Sequence, residues 1–264
     1  MTMQFFLNAI AWLVDPANYV PGSQSPLPIQ DRIVEHLFYT FVSVAIAAVI
    51  ALPLGFYIGH TGRGRQFVIG FSGAMRAVPT LGLLGALFVV IGMTVPFTAT
   101  AFIASIIAFI VLAIPSILAG AYAGVESVDP ETVDAARAVG MTELQILSRV
   151  EIPLSLPLII GGIRAAVLQV IATAVIASYI SLGGLGRIIA SGIGLNDNNR
   201  ILGGALLVTA LALVVDGIFA LIQRLTRRSG PPQATRATHA TSQTRALPSR
   251  PSAFAVSSAE ERNP

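Results

Sequence analysis

Five apolar stretches, 37–58, 66–93, 99–121, 156–180 and 201–221, constrain what this chain can become. A helix rises 1.5 Å per residue, so about twenty apolar residues cross about 30 Å of hydrocarbon. Inside a bilayer every backbone N–H and C=O must be satisfied within the protein, which restricts such stretches to helices. Composition points the same way: 11% of residues are charged, against about 25% in a soluble domain. The expected fold is an all-α integral membrane protein with about five transmembrane helices.

Prolines punctuate these stretches. Pro53 and Pro115 predict kinks in the first and third spans,. The second stretch is longer than one span and is broken at Pro79; the part after the break is too short to cross alone, so the span must draw on both halves,. Residues 5–14 form a shorter apolar run without the basic region and cleavage site of a signal peptide, and read as an interfacial helix with Trp12 at the headgroup level,. A Pro-rich connector, 15–30, follows. Residues 181–199 read as a glycine-rich loop. Residues 229–264 are rich in Ser, Thr, Pro, Ala and Arg without apolar periodicity, and read as a disordered tail,. The expected organisation is 1–33 N-terminal helix and connector, 34–228 transmembrane domain, and 229–264 tail.

Several chemistries are excluded. There is no cysteine, hence no disulfide or zinc–thiolate site,. There is also no lysine, and a P-loop needs its lysine at the β/γ-phosphates,. Any ATP-driven step must then come from a partner chain. No Ser/His/Asp arrangement or HExxH motif is present. His36 and His60 lack a second histidine at metal-ligand spacing and read as interfacial. The basic balance comes from arginines at span ends and in the tail, and does not indicate nucleic-acid binding. Arg63, Arg65, Arg137, Arg149, Arg224, Arg227 and Arg228 fall on one side of the spans, and Arg32, Arg187 and Arg200 on the other. The arginine bias predicts an N-terminus outside and a C-terminus in the cytoplasm.

The longest polar interval between the spans, 125–153, reads as helix–Gly–helix. Asp129 is placed to cap the first helix, Pro130 suits its first position, and Glu131 faces the positive end of its dipole,. That helix ends near Val139, with Gly140 free to take the left-handed conformation,. Thr142 caps a second helix, carrying Leu144, Leu147 and Val150 along one side and stopping before Pro153,. Such a unit presents an apolar ridge for a partner to cover.

Asp134-Ala135-Ala136, three residues, Gly140, nine residues, then Val150-Glu151-Ile152-Pro153 resembles the EAA loop of ABC-importer permeases. The spacing is kept, with Asp134, Val150 and Ile152 standing for glutamate, isoleucine and leucine. With RAVPTLG at 76–82 and SLGGLG at 181–186, the chain looks like permeases of the glycine betaine, carnitine, choline and proline importers. The resemblance implies a MetI-like permease fold whose cytoplasmic coupling loop inserts into an ATPase. It also implies a second permease copy or paralogue, an extracytoplasmic solute-binding protein and a prokaryotic inner-membrane location. ATP and Mg would bind the partner ATPase, and no cofactor this chain.

Two charges lie inside spans. Arg164 stands eight residues after Leu156 and Asp216 eight before Arg224, each about 12 Å deep. Antiparallel spans would set them level as an ion pair, a structural tie or a gate. Arg76 competes for Asp216 or snorkels to the interface,. Pro79, Thr80 and Gly82 mark either a simple kink or a broken helix along a pathway,. Gly183, Gly184 and Gly186 form a turn, an outer gate or a contact for a binding protein. The functional alternative is an ion-gradient-driven secondary transporter, for which Asp216 is the one clear intramembrane carboxylate.

Overall fold

The computed structural model describes residues 2–21 and 27–227. Arg228 and the segment 229–264 lie outside the described residues, as does the middle of the connector. In chain order the helices are α1 (Thr2–Val14), α2 (Ile29–Thr61), α3 (Arg65–Ala77), α4 (Thr80–Gly92), α5 (Phe97–Glu126), α6 (Pro130–Ala138), α7 (Glu143–Ile146), α8 (Ile152–Ala177), α9 (Gly186–Leu195) and α10 (Asn198–Arg227). A π-helical turn, Leu147–Glu151, joins α7 to α8.

Among the described residues, four helical segments, containing α2, α5, α8 and α10, are long and apolar enough to cross a membrane. The remaining stretch is two helices, α3 and α4, of 13 residues each. Each is about 20 Å long, short of the hydrocarbon thickness. The break falls at Val78 and Pro79, both extended. Pro79 caps α4 and its carbonyl accepts the Leu83 amide at 3.0 Å. Pro53, Pro115 and Pro157 all lie inside continuous helices.

The centre of the bundle is α5. Two-thirds of its best apolar window is buried (67%), against 6% for α10. It packs on α2 and α8 along its length and also on α3 and α4. Lipid tails are as apolar as leucine, so these helices associate through close packing. Glycines provide it. A Cβ at Gly55 of α2 would lie 2.6 Å from the Ala121 Cβ of α5, and one at Gly120 of α5 would lie 2.7 Å from the Gly162 Cα of α8. Phe109, Ile117, Val167, Val170 and Ile171 fill the space between.

Three expectations are corrected. The segment read as a loop, 181–199, contains α9, which packs on α8 and α10. Two of its glycines, Gly186 and Gly192, are at close contacts; a Cβ at Gly192 would lie 2.8 Å from the Ile201 side chain. The helix of the first span begins at Ile29 rather than near Leu37, and His36, two turns inside it, is fully buried in the bundle. The helix of the docking loop does not stop before Pro153. It runs through the π-turn into α8, where the Ile152 amide bonds to the Leu147 carbonyl. Pro153 follows the π-turn directly, in the first turn of α8. The wider turn before it moves the carbonyl that a proline ring would otherwise strike. At the amino end, α1 packs on α10, with the Trp12 ring against Gly203.

Gly162→Val should destabilise the bundle by about 1–3 kcal/mol by forcing α5 and α8 apart. Gly217 has open space around it, so Gly217→Ala should be neutral or stabilise by about 0.5–1 kcal/mol. Thermal unfolding in detergent of both variants checks the contrast.

Candidate functional site

The loop between α5 and α8 is built from local caps. Asp129 Oδ1 accepts the Glu131 amide at 2.9 Å. Thr142 and Gln145 form a reciprocal capping box: Thr142 N to Gln145 Oε1 is 2.9 Å, and Gln145 N to Thr142 Oγ1 is 3.4 Å,. Gly140 between the helices has φ +86°, where a side chain is strained. Val133, Ala136 and Ile146 are buried against one another, with Val128, Met141 and Val150 around them.

The expected ridge of Leu144, Leu147 and Val150 is divided. Val150 packs inward on this cluster, whereas Leu144 and Val139 are exposed at the tip. The short α7 and the π-turn keep one regular helical face from persisting,. Asp134, Ala135 and Gly140 are exposed, Ala136 is buried, and Ile152 and Pro153 open α8. Arg137 binds Asp134 at 3.0 Å and Glu143 at 2.8 Å, holding α6 against α7. These bonds, the one to Glu143 foremost, raise the Arg137 pKa above its ordinary value.

His60, at the end of α2, also reaches this loop. Its Nδ1 is 2.6 Å from Glu151 and its Nε2 is 3.2 Å from Glu143. It is largely buried between two carboxylates. The sequence carried no signal for this contact, because 91 residues separate His60 from Glu151.

Deeper in the bundle, Arg164 of α8 and Asp216 of α10 face each other in a two-pronged pair. Nε to Oδ1 is 2.6 Å and Nη2 to Oδ2 is 2.7 Å. Both side chains remain about a third exposed, at 30% and 31%. Near the same end, Gln223 donates to the Pro157 carbonyl at 2.7 Å, a second link between these helices. The Arg76 side chain lies outside the described residues.

At the opposite end, Gly183, Gly184 and Gly186 lie against α2 and α8. The Gly184 amide donates to Glu35 Oε2 at 2.8 Å, and Arg32 holds the same oxygen at 3.0 Å. A Cβ at Gly183 would lie 2.5 Å from that carboxylate, and one at Gly186 would lie 2.5 Å from the Val175 carbonyl. His36 is 3.1 Å from the Ile171 carbonyl. Glu35 and Arg32 were missed by the sequence reading, although their i,i+3 spacing is a recognisable ion-pair signal,. Thr80 begins α4, and Pro79 and Gly82 are exposed beside the break.

A glycine-packed helical bundle with a capped helical pair between two of its spans defines a polytopic membrane permease. The chain belongs to the family described as the inner membrane component of binding-protein-dependent transport systems, which matches residues 51–228. It is 38% identical over 182 residues to the carnitine transport permease protein OpuCB of Listeria monocytogenes, covering 69% of this chain and 80% of the relative. The osmoprotectant import permease protein OsmW of Salmonella typhimurium is 30% identical, covering 82% of this chain and 96% of the relative. In fold it resembles a permease chain of the inward-facing MetNI methionine ABC transporter, with TM-score 0.63 and 21% identity over 75% of this chain and 95% of that one. It is therefore the permease subunit of an ABC importer, and the ion-gradient alternative is set aside.

Arg164→Ala and Asp216→Ala should each reduce folded yield, because each leaves a lone charge in the bundle. The double variant should recover part of the loss. Size-exclusion profiles of fluorescent fusions measure this; a strictly additive double loss would argue against a supporting role for the pair.

Proposed function

We propose that the chain translocates a small osmoprotectant, a glycine betaine, choline, carnitine or proline type of solute, across the inner membrane of a prokaryote. The supporting observation is the coupling loop: the capped pair α6–α7, bent at Gly140, in a chain 38% identical to a carnitine permease. In this reading α6 and α7 seat on a cytoplasmic ATPase that binds ATP and Mg. Exposed Val139 and Leu144 supply apolar contact, and Asp134 and Glu131 supply acidic contact. The arginine bias puts this loop and the C-terminus in the cytoplasm and the Gly183–Gly184 loop outside. A binding protein would deliver solute at that outer end. A second permease copy or paralogue would complete the pathway, and Pro79, Thr80 and Gly82 stand beside it at the α3–α4 break,.

Transport follows alternating access. Closure of the ATPases moves α6 and α7, and the attached α5 and α8 carry that motion into the bundle. Ala136 is packed into the loop's small core and Gly140 sets its bend.

Complexes purified from native membranes in mild detergent should contain a stoichiometric ATPase, and proteoliposomes of the complex should take up labelled betaine, choline, carnitine or proline with ATP inside. Gly140→Asp places a charge at the bend, where nothing lies within 4 Å of the added Cβ. The spans should fold normally, while uptake falls and bound ATPase decreases. Normal uptake in that variant would remove Gly140 from the coupling role.

A further inference from the structure

From its place on the last turn of α2, against the loop, we infer that His60 is the residue through which the coupling loop drives α2. The inference rests on reading α6–α7 as the ATPase-docking element. By its covalent path the loop connects only to α5 and α8. The third connection is through side chains. Glu151 of the π-turn and Glu143 of α7 take the two ring nitrogens of His60, at 2.6 and 3.2 Å. Arg137 then joins Glu143 to Asp134 on α6. The relay runs from the terminal turn of α2 to the acidic position of the docking motif.

Three features make this more than a surface pairing. Glu151 is 5% exposed. Its carboxylate is held at the end of a membrane helix, where a lone charge is costly. Both nitrogens of one imidazole lie within hydrogen-bond reach of a carboxylate, so the ring spans the two helical turns. The π-turn brings the two carboxylates together. In a regular helix, residues eight apart are offset by about 80° at 100° per residue; the wider i→i+5 turn rotates less per residue and narrows that offset,. The groups facing His60 are therefore Glu143 and Glu151, with Arg137 behind Glu143. Beyond His60 the chain turns at Gly62, φ +69°, toward α3. A displacement of the loop would thus reach α2 at its last turn as well as α5 and α8.

The test uses the complex purified from native membranes and reconstituted in liposomes, with uptake and ATP hydrolysis measured on the same sample. His60→Ala should retain bound ATPase while uptake per ATP falls about tenfold, within the range for residues that carry coupling without touching a ligand. His60→Arg, which can donate to both carboxylates, should restore most of that ratio. Because His60→Ala strands a buried carboxylate, His60→Leu/Glu151→Leu serves as the second variant: it removes both polar groups, preserves apolar packing and should show the same uncoupling. If the Leu/Leu variant binds ATPase and keeps the wild-type ratio, the tie plays no part in coupling, and the docking reading stands without it. If wild-type complexes carry no ATPase at all, the docking reading fails and this inference with it.

Discussion

The bundle depends on backbone-to-backbone approach at α5. In a membrane no hydrophobic force drives apolar helices together, so surfaces must fit at short range. Gly55 opposite Ala121, and Gly120 opposite Gly162, allow that fit on two sides of the same helix. The large side chains then fill the remaining volume around Phe109 and Ile171. With α5 clamped between α2 and α8, the other helices can be shorter or more exposed. The 13-residue α3 and α4 pack against α5, and α10 closes against α8 with little burial of its own.

That clamp gives the coupling loop its mechanical setting. The loop leaves from α5 and returns through the π-turn into α8, two helices that meet backbone to backbone at Gly120 and Gly162. Its internal order comes from short-range bonds: the Asp129 cap, the Thr142–Gln145 box and the Arg137 bridge. Its small core of Val133, Ala136 and Ile146 lets it hold shape while Val139 and Leu144 remain exposed. A loop that is stiff inside and attached at both ends to packed helices can transmit displacement; a flexible one would absorb it.

Charged and polar groups are sparse, and several of them join helices distant in sequence. Arg164 ties α8 to α10 through Asp216, and Glu35 ties α2 to the Gly184 amide. His36 meets the Ile171 carbonyl from α2, and His60 meets Glu151 at the other end of the same helix. In a low-dielectric environment a polar group without a partner is costly, so each of these contacts specifies one register between otherwise uniform apolar surfaces.

Local chemistry was legible in advance. The apolar stretches, the caps at Asp129 and Thr142, and the left-handed Gly140 follow from composition and short-range steric rules, because each involves residues within a few positions of one another. Equal depth of Arg164 and Asp216 also follows from counting along two antiparallel helices. Tertiary contact alone decided the rest. The segment at 186–195 is a helix because its small residues meet α8 and α10, although its glycine content reads as a loop. Pro153 does not end its helix because a π-turn precedes it, and a local rule for proline assumes a regular turn. His36 and His60 read alike in sequence, yet one is buried against α8 and the other is held between two carboxylates. The sequence by itself determined the long apolar helices, through length and apolarity, but not the helix at 186–195. Which faces meet, and which polar groups find partners across 91 or 135 residues of chain, was decided only when the helices packed.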